Sequence, residues 1–315
     1  MSSRESIKQR LQSSSLYRKY NAWHWREREI SKGPDFPEKT FYVIRRHADK
    51  AGLFSFFVTS LGSIDIAVKK GYVPVIDMQN APNPLLLPEE VGKVNAWELF
   101  FEQPCGIGLG GIQTAKHVYL GSILPPDEKP EYDTLSSPEE IARWRTVAHQ
   151  YIRPRKDIEQ VVQQYLNEHF LGHRVLGILC RGTDYLQNRP HQHPIQPDPE
   201  QVLMDAEHVM KQQNCDLIYL ATEDESIWEK FQQHFPSRVI SYQQRRYSIQ
   251  DGQNINVEAN RIASPYERNR EYLTSILVLS HSNCFLAGVV SGTMGAVLLS
   301  DGFEYTKIYQ LGRYE

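Results

Sequence analysis

The feature that most constrains this chain is the rhythm of its second half, where short apolar runs alternate with amphipathic helical stretches. Residues 174–180 read as a strand, a helix opens at 198, and 216–222 and 226–234 read as the next strand and helix. A short strand at 238–241 follows, then a helix at 268–281, a strand at 284–288, a helix at 293–299 and a last strand at 307–310. Strands separated by crossover helices pair in parallel, because each helix returns the chain to the same edge of the sheet. The helix opened by Asp198-Pro199-Glu200-Gln201 carries Val202, Leu203, Ala206, Val209 and Met210 at a spacing that makes one apolar face.

The first half repeats the pattern less regularly. After a Gly33-Pro34 break come a strand at 41–44, a loop holding Gly52 and Ser55, a helix at 60–70, and strands at 73–77 and 117–120. Ser137-Pro138-Glu139-Glu140 is a helix start with Ser as N-cap, Pro at N1 and Glu at N3. That helix is expected to end near 152, and a second begins at Pro154 and ends near 170. The expected fold class is α/β: two facing Rossmann-like domains with parallel sheets, at 35–170 and 171–315. They are preceded by a basic, aromatic arm at 1–34.

The first 32 residues of that arm carry eight Lys/Arg against three Glu, with Tyr17, Tyr20, Trp23 and Trp25 interleaved. It reads either as a helical arm packed on the body or as a strip touching an anionic membrane surface. A net charge of −3 excludes a bulk nucleic-acid binder. No apolar run approaches the roughly 20 residues of a membrane span. The first 30 residues lack the apolar core of a secretory signal. The four cysteines are far apart and form no C-x-x-C, and three of them sit in or beside expected strands, where a reduced Cys behaves as a small buried hydrophobe. The expected location is therefore the cytosol, with the arm offering peripheral contact at the inner face of the membrane.

In open α/β sheets ligands bind beyond the carboxyl ends of the strands. Three such ends in the second half hold polar residues. The first is Arg181-Gly182-Thr183-Asp184, whose arginine suits a diphosphate because its planar fork makes bidentate bonds to phosphate oxygens. Asp184 either orients that guanidinium or closes a turn with it. The second is Thr222-Glu223-Asp224, whose carboxylates read as acceptors for a nucleobase or ribose, or as the acidic start of a helix. For Asp224 alone the helix cap is the stronger reading. The third is Ser291-Gly292-Thr293, where backbone amides at a helix start form an anion site. Gly106-x-Gly108-x-Gly110-Gly111 fits a dinucleotide pattern, but it follows no strand and reads as a loop. Neither an H-E-x-x-H nor an Asp-x-Asp motif occurs, so no metal and no cofactor are expected.

These residues resemble the three motifs of the α1,6/α1,2/protein O-fucosyltransferase superfamily. The motifs are Arg181-Gly182-Thr183-Asp184 with His193-Pro194-Ile195, the 220–224 stretch, and the region from Leu279-Ser280 to Ser291-Gly292. The resemblance covers roughly 171–315 and extends to the first half only in general plan. It implies a GT-B fold, GDP-fucose as donor, a glycan acceptor, inversion at the anomeric carbon and no obligatory metal. Arg181 then falls on the arginine that holds the β-phosphate, Asp184 on the aspartate of that motif, and Glu223 and Asp224 on the paired acids of the second. Ser291 lies near the serine of the third. The sequence departs from the family where Gly182 replaces a frequent second arginine and Leu179 a frequent histidine. Arg189 falls where a glutamate base is expected, and Thr274 or Ser275 where the third motif has an aspartate.

On this reading Arg181 and the amides at Ser291–Thr293 meet the leaving diphosphate, and His193 or His191 takes the acceptor's proton. The first half supplies the acceptor surface through Arg45, Arg46, His47 and the Gly52–Ser55 loop. Two other readings are a GT-B transferase using another nucleotide sugar, and an inactive nucleotide- or glycan-binding protein of a polysaccharide pathway.

Overall fold

A computed structural model describes residues 14–46, 48, 51–122, 128–182, 191–242, 245–246 and 263–315. The described residues form two sheets. The first contains β1 (Arg28–Ile30), β2 (Asp35–Arg45), β3 (Val73–Asp77) and β4 (Ala115–Leu120), in the order β1-β4-β2-β3. β2 runs parallel to both β3 and β4, whereas β1 closes the edge antiparallel to β4. The described part of the arm is a helix, α1 (Ser15–Trp25), followed by an edge strand, and the first sheet is parallel except at that edge. Tyr20 and Trp23 of α1 are exposed, and the Arg26 guanidinium lies 4.7 Å from the Trp23 ring centroid.

The first-half helices are α2 (Leu53–Lys69), α3 (Pro138–Tyr151) and α4 (Lys156–His169). Helix α2 starts earlier than the sequence pattern predicts. Its first turns are apolar on nearly every side, so no amphipathic period marks the start, and its N-cap, Gly52, has no capping side chain. Helix α3 starts where expected, with the Ser137 side chain accepting from Glu140 N. The glycine-rich stretch forms a turn and a short 3-10 helix at Leu109–Ile112.

The second sheet contains β5 (Val175–Leu179), β6 (Leu217–Ala221), β7 (Val239–Ile240), β8 (Cys284–Gly288) and β9 (Tyr305–Tyr309). Its order is β7-β6-β5-β8-β9, with every pairing parallel. Helices α5 (Pro199–Gln212) and α6 (Glu225–His234) cover one face, packing Val202, Ala206, Ile227 and Phe231 on β5 and β6. Helices α7 (Pro265–Leu279) and α8 (Ser291–Leu299) join the opposite core. The chain moves outward from β5 to β7, then returns to build β8 on the other side of β5. The strand order therefore reverses between β5 and β8, and a crevice opens beyond their carboxyl ends.

The largest apolar core is continuous across both halves, running from Tyr42 and Phe57 through Trp97 and Trp144 to Leu273, Phe285 and Leu298. Its seam includes the contact of α2 with α8. A Cβ on Gly295 would lie 2.2 Å from the Phe54 ring, so only glycine admits this approach.

Candidate functional site

Strand β5 is wholly buried, and Cys180 extends its pairing by donating from N to Ala221 O at 3.1 Å. The chain then leaves the sheet at Arg181. Its Nε lies 3.0 Å from Glu223 Oε1, and both side chains are largely buried. The partner Glu223 comes from the end of β6, the neighbouring strand, and holds the guanidinium from its Nε side. Thr183 and Asp184 lie outside the described residues, as do His47 and Arg189.

Gly182 packs directly on Asp224, and a Cβ there would sit 2.5 Å from the Asp224 Cβ. The second arginine frequent in the resembling family has no room at this position. Asp224 is the N-cap of α6: its Oδ1 accepts from Ser226 N at 2.9 Å, Ile227 N at 3.3 Å and Ser226 Oγ at 2.6 Å. Thr222, also buried, accepts from Asp224 N at 3.2 Å. Burial, followed by the charges of Asp224 and Asp198, pushes the Cys180 thiol up to about 12, so it behaves as a small apolar side chain.

Beyond β8 the chain turns through Val289 and Val290 into α8, whose start has no side-chain cap. The first-turn amides of this helix are donors at the switch point, and its dipole favours negative charge there. Thr293 is fully buried and donates to Gly288 O at 2.6 Å, which fixes the turn. Ser291 Oγ is 3.4 Å from Tyr132 OH, a contact from the first half. Gly292 lies under Tyr272, whose hydroxyl would be 2.1 Å from a Cβ at that position.

A small cleft is lined by Leu179, Cys180, Arg181, Ala221, Thr222, Glu223, Tyr272 and Val290. The ends of β5, β6 and β8 are thus brought together, as their placement on three strands predicts. Tyr272 and Tyr132 carry no sequence signal, because only tertiary packing brings them to the α8 start. Thr274 Oγ1 bonds Arg270 O at 2.9 Å, and Ser275 Oγ lies 3.0 Å from Tyr219 OH; both serve helix packing.

His191 and His193 are exposed and do not line this cleft. Their segment is paired with the chain near 312–314: Gln192 N donates to Tyr314 O, Ile195 N to Gly312 O and Tyr314 N to His193 O. In the first half, the Arg45 guanidinium donates to Gly121 O and Arg26 O and stacks 5.2 Å over Trp25, tying the arm to the sheet. Gly52 caps α2, and Ser55 accepts from Arg46 through both its carbonyl and its hydroxyl. Phe54 stands edge-on to Tyr272 at 5.4 Å, so the α2 start adjoins the cleft. Among the described residues no cluster of three His, Cys, Asp or Glu is arranged to hold a metal ion. Among them, too, no helix is long and apolar enough to cross a membrane.

No protein-family model matches the chain, and no curated protein matches its sequence. Among solved structures it is similar to NodZ alpha-1,6-fucosyltransferase soaked with GDP-fucose, with a TM-score of 0.50 and 17% identity, over 83% of this chain and 93% of that one. The same enzyme co-crystallised with GDP matches with a TM-score of 0.50 and 16% identity over the same shares. Fucosyltransferase NodZ from Bradyrhizobium matches at 0.49 and 16%, over 83% of this chain and 93% of that one. What this likeness shows is the fold: two α/β units with parallel sheets in the GT-B arrangement of fucosyltransferases.

Proposed function

We propose that this protein is an inverting, metal-independent glycosyltransferase that moves fucose from GDP-fucose to a glycan hydroxyl. The observation that carries the reading is that Arg181 and Val290, the N-cap of α8, line one cleft at the β5/β8 switch point. It is supported by the fold, since the similar NodZ structures were obtained with GDP-fucose and GDP.

In the proposed reaction an acceptor oxygen forms a bond to the sugar C1 as the bond from C1 to the β-phosphate oxygen breaks. Negative charge develops on the departing diphosphate. In this proposal Arg181, ion-paired with Glu223, and the amides at Ser291, Gly292 and Thr293 receive it. Preorganised donors aimed at developing charge contribute roughly 3–4 kcal/mol each in comparable sites. Thr222 lies on the same wall, while Asp224 supports it by capping α6 and holding Gly182. The acceptor approaches from the first half, over Gly52 and Ser55. His193 is the proposed proton acceptor and would have to swing from its exposed position over the cleft. That exposed position favours the second reading, a nucleotide-binding protein without turnover.

Calorimetry with GDP, GDP-fucose and UDP-sugars, in chelator and then in Mg²⁺, tests the donor assignment. GDP and GDP-fucose are expected to bind equally with and without metal, and Arg181→Ala to weaken them about 100-fold. Arg181→Lys keeps the charge without the fork, so near-wild-type turnover in that variant would remove the clamp. Tight binding of a UDP-sugar alone would discard fucose, and binding of no nucleotide would sink the proposal.

A further inference from the structure

Helix α1 divides its aromatic side chains between two directions. Trp25 meets the body: the guanidinium carbon of Arg45, at the end of β2, lies 5.2 Å from its ring centroid, and Arg45 also donates to Arg26 O at 3.3 Å. Tyr20 and Trp23 face outward, 56% and 57% exposed, with ring centroids 6.4 Å apart. Lys19 and Arg26 are exposed beside them, at the three- and four-residue steps that keep side chains on one helix face. The guanidinium carbons of Arg26 and Arg28 lie 4.7 Å and 6.0 Å from the Trp23 centroid, so two cations gather at one exposed indole.

The carboxylates of the same stretch are engaged elsewhere. Glu27 accepts from Tyr119 OH at 2.8 Å and from Tyr42 OH at 3.4 Å, and Glu29 Oε1 lies 2.9 Å from His117 Nδ1. Both acids thus reach side chains of the first sheet, while Lys19 and Arg26 stay on the exposed side. A single exposed aromatic residue needs no partner. Two in contact, among ammonium and guanidinium groups, have the makeup of a membrane-interface helix, whose rings sit at headgroup level and whose cations meet phosphates. Charge favours a lipid surface as the partner. The first 32 residues carry eight Lys/Arg against three Glu, whereas the whole chain has 35 Lys/Arg and 38 Asp/Glu. The rest of the chain is therefore net acidic, so an anionic surface attracts the arm and repels the body.

We propose that the outer face of α1, formed by Lys19, Tyr20, Trp23 and Arg26, docks on an anionic lipid surface. Tyr20 and Trp23 seat among the headgroups, and Lys19 and Arg26 meet their phosphates. Arg45 ties this helix to the carboxyl end of β2, so docking holds that end of the first sheet at the membrane.

Sedimentation of the full chain with vesicles tests the proposal, using phosphatidylcholine alone and phosphatidylcholine mixed equally with phosphatidylglycerol. The protein is expected to pellet with the mixed vesicles only, and less so as salt screens the charges. Trp23→Ser should weaken binding about tenfold, and Lys19→Gln and Arg26→Gln about fivefold each. A second measurement needs no loss of binding: brominated lipid in the mixed vesicles should quench part of the tryptophan fluorescence of the native chain. Trp23→Phe should still bind but lose that quenching. Absence of binding to the mixed vesicles, equal binding to both kinds, unchanged binding in Trp23→Ser, or quenching that persists in Trp23→Phe overturns the proposal. If the chain instead self-associates and Trp23→Ser disperses it, the face joins two copies and the lipid reading falls. No nucleotide enters these assays, so their outcome is independent of the donor assignment.

Discussion

Every residue of β5, β6 and β8 is buried, whereas β2 buries only residues 41–44 and runs its first five residues through solvent. The second sheet is covered by helices on both faces, which is what an all-parallel sheet requires. Among the described residues the first has α-helices on one face only. Its other face packs Phe41, Val43 and Val118 under Ile107, Leu109 and Ile112, and its edge is closed by polar β1. Around that edge Glu27 accepts from Tyr119 OH at 2.8 Å, and Glu29 lies 2.9 Å from His117 Nδ1. On the proposed function the difference would separate two tasks. Arg181 and the α8 amides are mounted on the fully buried sheet, which would suit charge stabilisation. The proposed acceptor side is built on the more open sheet, where loops can vary without disturbing the core.

The comparison breaks most severely at the seam. Gly295→Leu would drive a side chain into Phe54 and part α8 from α2. We expect a loss of about 3 kcal/mol in urea unfolding. Gly110→Leu, in the short 3-10 helix with open space around it, should stay within about 0.5 kcal/mol. Equal losses at the two sites would mean that the halves are not joined through this contact.

Alkaline pH sharpens the comparison, because each sheet buries a phenol. Tyr42 is raised first by burial and then by Glu27, and Tyr219 is raised chiefly by burial. Both folded values exceed the unfolded value of about 10, so the protonated phenols contribute fully below that pH. The contribution is lost as pH rises toward the folded values, at about 1.4 kcal/mol per pH unit for each phenol. Urea midpoints between about pH 9 and pH 11 should therefore fall, and Tyr42→Phe should remove one phenol's share of the slope. An unchanged slope would show that Tyr42 is already solvated in the native state.

The smallest effect separates cap from ligand at the site itself. Asp224→Ala should cost about 1–2 kcal/mol through loss of the α6 cap, with GDP affinity held within about twofold. A tenfold loss of GDP affinity at an unchanged unfolding midpoint would instead make Asp224 a donor contact.

Much of the second half was legible in advance. Its strands lie within a residue or two of the expected 174–180 and 216–222, and β8 spans the expected residues. Val202, Leu203, Ala206, Val209 and Met210 are the buried face of α5. Doubly covered strands are continuous apolar runs, and covered helices are periodic, so each announces itself locally. The start of α2 did not, because Leu53, Phe54, Phe56 and Phe57 are all buried between two layers and leave no polar face. Nor did β1, which is three residues long and is held by pairing with β4.

What the sequence determined by itself was local: the period of each element, the caps at Ser137, Asp198 and Asp224, and the arrival of Arg181, Thr222 and Ser291 at strand ends. What only the tertiary structure decided was partnership. Arg181 meets Glu223 because β5 and β6 are neighbours, and Tyr272, Phe54 and Tyr132 reach the start of α8 because helices from both halves share one core. Periodicity and capping act over a few residues and leave their mark in adjacent letters. Contacts between residues 54 and 272, or 132 and 291, depend on how layers stack, and no short stretch of sequence encodes that stacking.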